Sequence, residues 1–214
     1  MHFVLIEGVP GSGKTTLAEK LCSYAGENGV EASWFREDDQ QHPIHPLAFK
    51  FDKYTVDYAD RCLQQWQGFI EGHKSRERLL ILDGSALQSS VRFMMEAGHL
   101  ELLGDYYRAF ERLFADIQCH FIYLRPADIR QHINSIMMLR GADWSEKVGT
   151  YLSRSSYCRQ RSWSPDDCMN LFWCDYAIQC DRLVDDSQLN CRVLPAASEC
   201  RSGLVEQTTC FIGI

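Results

Sequence analysis

Gly8-Val9-Pro10-Gly11-Ser12-Gly13-Lys14-Thr15 decides the reading of this chain. It fits the pattern G-x-x-x-x-G-K-T, and it stands between an apolar run at 2–7 and a helical pattern over 14–27. The glycines let the backbone curl until successive N–H groups point inward at phosphate oxygens. The start of the following helix adds unpaired N–H groups and partial positive charge. Gly8, Pro10, Gly11, Ser12, Gly13, Lys14, Thr15 and Thr16 are therefore the expected nucleotide-binding residues. Lys14 is expected to reach the β- and γ-phosphates, and Thr15 to offer its hydroxyl to Mg²⁺.

Strand and helix patterns alternate away from this loop. Residues 30–36 read as a second strand after the turn Glu27-Asn28-Gly29. Residues 79–83, LLILD, read as a central strand, nearly all apolar as burial on both faces requires. Residues 119–124 read as a fourth strand, closed by Arg125-Pro126, and 191–194 as a short fifth.

Between the strands, Tyr54, Tyr58, Cys62, Trp66 and Ile70 recur at i+4. Leu103, Tyr106, Tyr107, Phe110, Leu113, Phe114 and Ile117 make one helical face, and Ile129, Ile133, Ile136 and Met137 another. A further helix is expected from Ser164, with Pro165 at its first position and Asp166 and Asp167 in its first turn. Its buried face is Met169, Trp173, Tyr176, Cys180 and Leu183. This alternation predicts an α/β, three-layer fold: about five parallel strands with helices on both faces. Ligands bind such sheets at the carboxyl ends of the strands. That rim gathers the loop after Glu7, the segment Glu37-Asp38-Asp39 after the second strand, and Asp83 after the third.

The 214 residues predict one domain over 1–214, with a helical lid region around 140–165. A formal net charge of −7 argues against nucleic-acid or anionic-membrane partners, so phosphate binding must come from local basic groups. No apolar run nears the roughly 20 residues that span a bilayer. The first residues lack a secretory pattern, which predicts a cytoplasmic protein. The ten cysteines include no CxxC pair and read as buried, reduced thiols, with neither a zinc site nor a redox dithiol indicated.

Ile6-Glu7-Gly8 through Gly13-Lys14-Thr15-Thr16 resembles the loop of the nucleoside and nucleotide kinase branch, thymidylate and deoxynucleoside kinases among them. The resemblance implies the P-loop NTPase fold, ATP and Mg²⁺ as cofactors, and a small-molecule acceptor. The reaction it implies is transfer of the γ-phosphate to a hydroxyl or phosphate of a nucleoside, nucleotide or specialised metabolite. It also implies an arginine-bearing lid, and a carboxylate after strand two or three that takes the hydroxyl proton or orients the acceptor. Glu37 or Asp38 matches the first carboxylate by position and Asp83 the second. Those kinases place an arginine straight after the strand-three carboxylate, whereas this chain has Gly84, which favours a different substrate. The chain also resembles a bacterial group of P-loop proteins with a Glu-Gly-x-Pro-Gly-Ser-Gly-Lys loop and an acidic segment followed by His-Pro. Here that segment runs over 35–46, with Asp38, Asp39, His42-Pro43 and His45-Pro46. This second likeness supports the fold and names no substrate.

Asp83 is expected to hold the Mg²⁺ shell with Thr15 or to contact the acceptor hydroxyl; Gly84 and Ser85 after it also suit a turn aspartate. Charge runs such as 37–39 ordinarily form solvated loops, but the rim position points at least one carboxylate at the acceptor as general base. Arg140 is expected to close over the triphosphate. Lys147, Arg154, Arg159 and Arg161 extend the basic stretch, either as further lid cations or as a solvated face paired with Glu146, Asp166 and Asp167. Trp34, Phe35, Phe49, Phe51 and Tyr54 either line an acceptor pocket or belong to the core. His42 and His45 suit a substrate contact better than a metal. Neither Asn-Lys-x-Asp nor D-x-x-G occurs, which argues against a GTP switch. A small-molecule kinase is the first reading, and an NTPase or nucleotide-binding regulatory module the alternative. A homodimer is left open.

Overall fold

The computed structural model describes residues 1–44, 54–74, 77–84, 86–199 and 203–214. His45, Pro46, Phe49, Phe51 and Ser85 lie outside the described residues.

Five strands form one parallel sheet: β1 (His2–Gly8), β2 (Ala32–Phe35), β3 (Leu79–Asp83), β4 (Gln118–Arg125) and β5 (Asn190–Pro195). Their order is β2-β3-β1-β4-β5, which puts β1 at the centre, bonded to β3 on one side and β4 on the other. The sheet reverses its winding here, so the carboxyl ends of β1 and β3 border the crevice where such sheets take ligands. All of β3 is buried, as its apolar run requires.

The pleat sends alternate side chains to opposite faces. Phe3, Leu5, Leu80, Leu82, Phe121 and Tyr123 join one core layer, with Tyr58, Trp66, Phe110 and Trp173. Val4, Ile6, Ile81, Ile122 and Leu124 join the other, with Leu17, Leu21, Leu204 and Ile212. The second layer is supplied by α1 (Lys14–Glu27) and α9 (Leu204–Ile212). The first is supplied mainly by α2 (Tyr58–His73), α3 (Arg92–Ala97), α4 (Leu103–Arg112) and α8 (Pro165–Asp185), with α6 (Ala142–Ser153) at its edge. Trp66 meets Phe110 edge-on at 5.0 Å, a pairing worth about 1 kcal/mol beyond its burial.

Local signals place several helix ends. Ser164 and Asp167 form a reciprocal capping box, with Pro165 at the first position of α8. The buried face of α8 ends on Val184, with Leu183 only partly buried. Tyr54 lies outside α2, in the turn before it, and is 40% exposed. Three short helices carry no strong period of their own: α3 (Arg92–Ala97), entered through a π-turn over Leu87–Val91, α7 (Ser156–Gln160), and α9. Helix α5 (Ile129–Arg140) follows β4, with Asp128 accepting the Gln131 N–H as its N-cap.

Candidate active site

Gly13 stands at the N-cap of α1 in a left-handed conformation (φ 100°), with no side-chain cap and no acid in the first turn. The leading amides of α1 are thus left for an anion. Lys14 is buried and curls back over the loop, donating to the Gly8 carbonyl at 3.0 Å and the Val9 carbonyl at 3.3 Å. Two distant elements brace this loop. His132 of α5 bonds the Pro10 carbonyl through Nε2 at 3.0 Å, and the Ala197 N–H after β5 donates to the Ser12 carbonyl at 2.8 Å. A side chain at Gly13 would start 2.3 Å from the Ala197 Cβ, so the brace demands glycine there.

The Thr15 hydroxyl donates to Asp83 Oδ2 at 2.5 Å. Asp83 is 1% exposed, and its other oxygen, Oδ1, has no hydrogen-bond partner among the described residues. Burial pushes its carboxyl above the ordinary aspartate value, while the Lys14 charge and the Thr15 bond pull against that. A hydroxyl beside a buried carboxylate with one oxygen uncommitted is a hard-oxygen donor set, and it fits Mg²⁺ carrying part of its water shell.

Of the acidic run, Glu37 turns into the site and Asp38 does not. Gln88 Nε2 donates to Glu37 Oε2. Gly84, with φ 71°, leaves the space that Glu37 occupies: a Cβ there would lie 2.9 Å from Glu37 Oε2 and 3.3 Å from Lys14 Cε. The glycine that departs from the kinase pattern therefore lets a carboxylate lie close to the loop lysine. Asp38 is exposed and pairs with Arg36 at 3.1 Å, and Asp39 accepts the Arg36 N–H at 2.8 Å. Asp38 does not line the cavity beside the loop, because the tight turn sends neighbouring side chains in different directions.

Glu7, read above as the end of a strand and the first acid of the Glu-Gly loop motif, is fully buried and accepts from the N–H groups of Ala86, Leu87 (3.1 Å) and Gln88 (3.4 Å). Burial raises its carboxyl to about 7, against the pull of those amides and the Lys14 charge.

A cavity of about 470 Å³ opens over the loop, within the usual range for small ligands. Its floor is Pro10, Gly11, Gly13, Lys14, Thr15 and Thr16. Glu37, Gln88 and Arg92 form one wall, and Arg140, Trp144, Val148, Tyr151 and Trp173 the other. The Arg140 guanidinium sits 4.8 Å from the Trp144 ring centre. Arg92 pairs with buried Glu96 at 3.4 Å, and the Tyr151 hydroxyl donates to Glu96 at 2.5 Å, which ties α3 to α6. Arg154, Arg159 and Arg161 do not line the cavity; Arg161 lies 3.6 Å over the Tyr157 ring. Phe35 packs edge-on against Phe69 in the core, and the aromatic walls come from α6 and α8 instead. His42 is buried and accepts the Ile44 N–H at 3.2 Å through Nδ1. Gln88 and Arg92 escaped the sequence reading; their one visible signal is i,i+4 spacing directly after Asp83. A second cavity of about 350 Å³ shares Gly13 and Thr16 and is lined further by Lys20, Ala197 and Leu204.

The sheet order and the loop at its switch point define a P-loop kinase-like fold. No protein-family model matches the chain, and no curated protein matches it in sequence. Solved structures do resemble it. The YorR protein of Bacillus subtilis, in complex with phosphorylated GDP, superposes with a TM-score of 0.54 at 10% identity, over 99% of this chain and 95% of that one. The crystallised protein APE1195 gives 0.52 at 14% identity, over 99% and 94%. Deoxyadenosine kinase from M. mycoides with bound dATP gives 0.50 at 16% identity, over 99% and 100%. At such identities the likeness is one of fold. Among the described residues, no helix is long and apolar enough to cross a membrane.

Proposed function

We propose that this chain is an ATP-dependent kinase that moves the γ-phosphate to a hydroxyl of a small acceptor, a nucleoside, nucleotide or specialised metabolite. One observation carries the reading: a single cavity is walled by the phosphate loop and by Glu37, Gln88, Arg92 and Arg140. A triphosphate on the loop and an acceptor beside Glu37 then share one enclosure, and phosphoryl transfer consists mainly of such placement and charge neutralisation. The second cavity, across Gly13 and Thr16, suits the nucleoside end of the donor.

In this scheme the loop amides and Lys14 hold the β- and γ-phosphates. Glu37 accepts the proton of the acceptor hydroxyl as its oxygen bonds to the γ-phosphorus, and the bond to the β,γ-bridging oxygen breaks to leave ADP. Arg140 and Arg92 face the charge that spreads over the transferring group. Thr15 and Asp83 would hold Mg²⁺, which would supply charge neutralisation for the triphosphate. Cytoplasmic location and independence of nucleic acid and membrane belong to this proposal too, supported by the net charge of −7.

The test is ADP release from Mg-ATP with and without a panel of nucleosides, nucleotides and hydroxylated metabolites, with product masses read by mass spectrometry. One acceptor gaining a phosphoryl group, with little ADP formed in its absence, is the expected result. Acceptor-independent ADP, or ATP binding without turnover on any compound, would overturn the reading in favour of an NTPase or binding module.

A further inference from the structure

Glu37 serves as a base only if its carboxylate is held over Gly84, and among the described residues of its own segment none bonds that carboxylate. The adjacent Asp38 and Asp39 bond back to Arg36 instead. Among the described residues, the side-chain bond that reaches Glu37 comes from Gln88, whose Nε2 donates to Oε2. Gln88 stands in the first turn of the helical stretch that begins at Leu87 and continues into α3. The leading N–H groups of a helix have no partner within it. Here the amides of residues 86–88 converge on one carboxylate, Glu7, which issues from the central strand β1 and is fully buried. A carboxylate taken from water into that position needs strong donors, and the three amides supply them.

We propose that Glu7 and Gln88 are positioning residues: Glu7 clamps the amides of residues 86–88 from the central strand, and the Gln88 carboxamide so fixed aims Glu37 at the acceptor. The proposal rests on the kinase reading above, and it adds a specific dependence. Gln88 touches the reaction through Glu37, and Glu7 through Gln88.

Two measurements on the full chain test the two links. For the clamp, amide hydrogen exchange is followed without any substrate in the unaltered chain and in Glu7→Gln. An amide oxygen and an amide nitrogen cannot together replace a carboxylate that accepts from three donors, so exchange at Leu87 and Gln88 should quicken by about tenfold. Exchange at the β1 amides of Leu5 and Ile6 should stay as it was. Unchanged exchange at 87 and 88 overturns the clamp. If Glu7→Gln does not fold, Glu7→Asp, which withdraws the carboxylate by one methylene, gives the same comparison.

For the aiming, Gln88→Leu is measured alone and together with Glu37→Gln. Alone it should lower kcat on the order of 10- to 100-fold with little change in KM for ATP. In the Glu37→Gln background it should change kcat by less than about twofold, since the residue it acts through is already lost. Equal losses in both backgrounds overturn the aiming role and leave Gln88 a structural residue. If the unaltered chain transfers phosphate to no acceptor, the kinase reading and the role of Glu37 fall, while the exchange result still decides the clamp by itself.

Discussion

The Thr15 hydroxyl donates to Asp83 Oδ2 at 2.5 Å, joining the loop after β1 to the end of β3 across 68 residues of sequence. Among the described residues Asp83 Oδ1 has no partner, in a place that is 1% exposed, a costly arrangement unless a ligand completes it. Asp83→Asn keeps the shape and removes the charge. Turnover should fall by about 10²- to 10³-fold, with a higher Mg²⁺ concentration needed for half-maximal rate. A magnesium titration of ADP release checks this; near-normal rates would make Asp83 a turn residue.

Lys14→Ala should abolish transfer and leave the fold intact. The ammonium bonds two loop carbonyls, Gly8 and Val9, that other donors or water can reach once the lysine is gone. Thermal unfolding should therefore shift by only a few degrees, while transfer disappears. Undiminished turnover would contradict the loop assignment.

Arg140→Ala should lower kcat more than it weakens ATP binding, because its guanidinium faces the cavity against Trp144. Arg159→Ala, on an exposed residue outside the cavity, should change neither by more than about twofold. Steady-state kinetics on both variants decide the matter, and an effect of Arg140→Ala on KM alone would contradict a transition-state role.

Gly84→Ala should weaken transfer while nucleotide binding persists. The residue has φ 71°, and a Cβ there would press on Glu37 Oε2 at 2.9 Å. The strain costs on the order of 1–2 kcal/mol of stability, and the displaced carboxylate should cost kcat at least about tenfold. Nucleotide affinity by calorimetry beside acceptor-dependent turnover separates the two effects.

Glu7 makes stability depend on pH in an unusual direction. Burial raises its carboxyl from 4.5 to about 7 in the folded chain, so the folded state keeps a proton that the unfolded chain releases. The stability this contributes is fully present below 4.5 and is lost as pH rises to about 7. Over that window it amounts to about 3 kcal/mol. Denaturation of the unaltered chain and Glu7→Gln from pH 4.5 to 8 isolates the group, since other titrations cancel in the difference. A difference that does not vary with pH would contradict the burial account.

The amino-acid sequence alone determined the loop, the five strands and the principal amphipathic helices. Each is written within one contiguous stretch: GxxxxGKT is read in order, LLILD is apolar because both faces of β3 are covered, and α2 and α8 repeat every three or four residues. Burial acts on whole faces, so a local period suffices to reveal it. The site was legible only where it coincides with such stretches, as Lys14, Thr15 and Asp83 do. Tertiary structure alone set Glu37 in the cavity wall and turned Asp38 toward Arg36, because two neighbours on a turn differ only in the direction the backbone gives them. It also brought His132 and Ala197 against the loop, set Gln88 and Arg92 beside Glu37, and left Arg154, Arg159 and Arg161 outside. Those pairings depend on how helices dock on the sheet, and a docked pair leaves no period in either of the segments it joins.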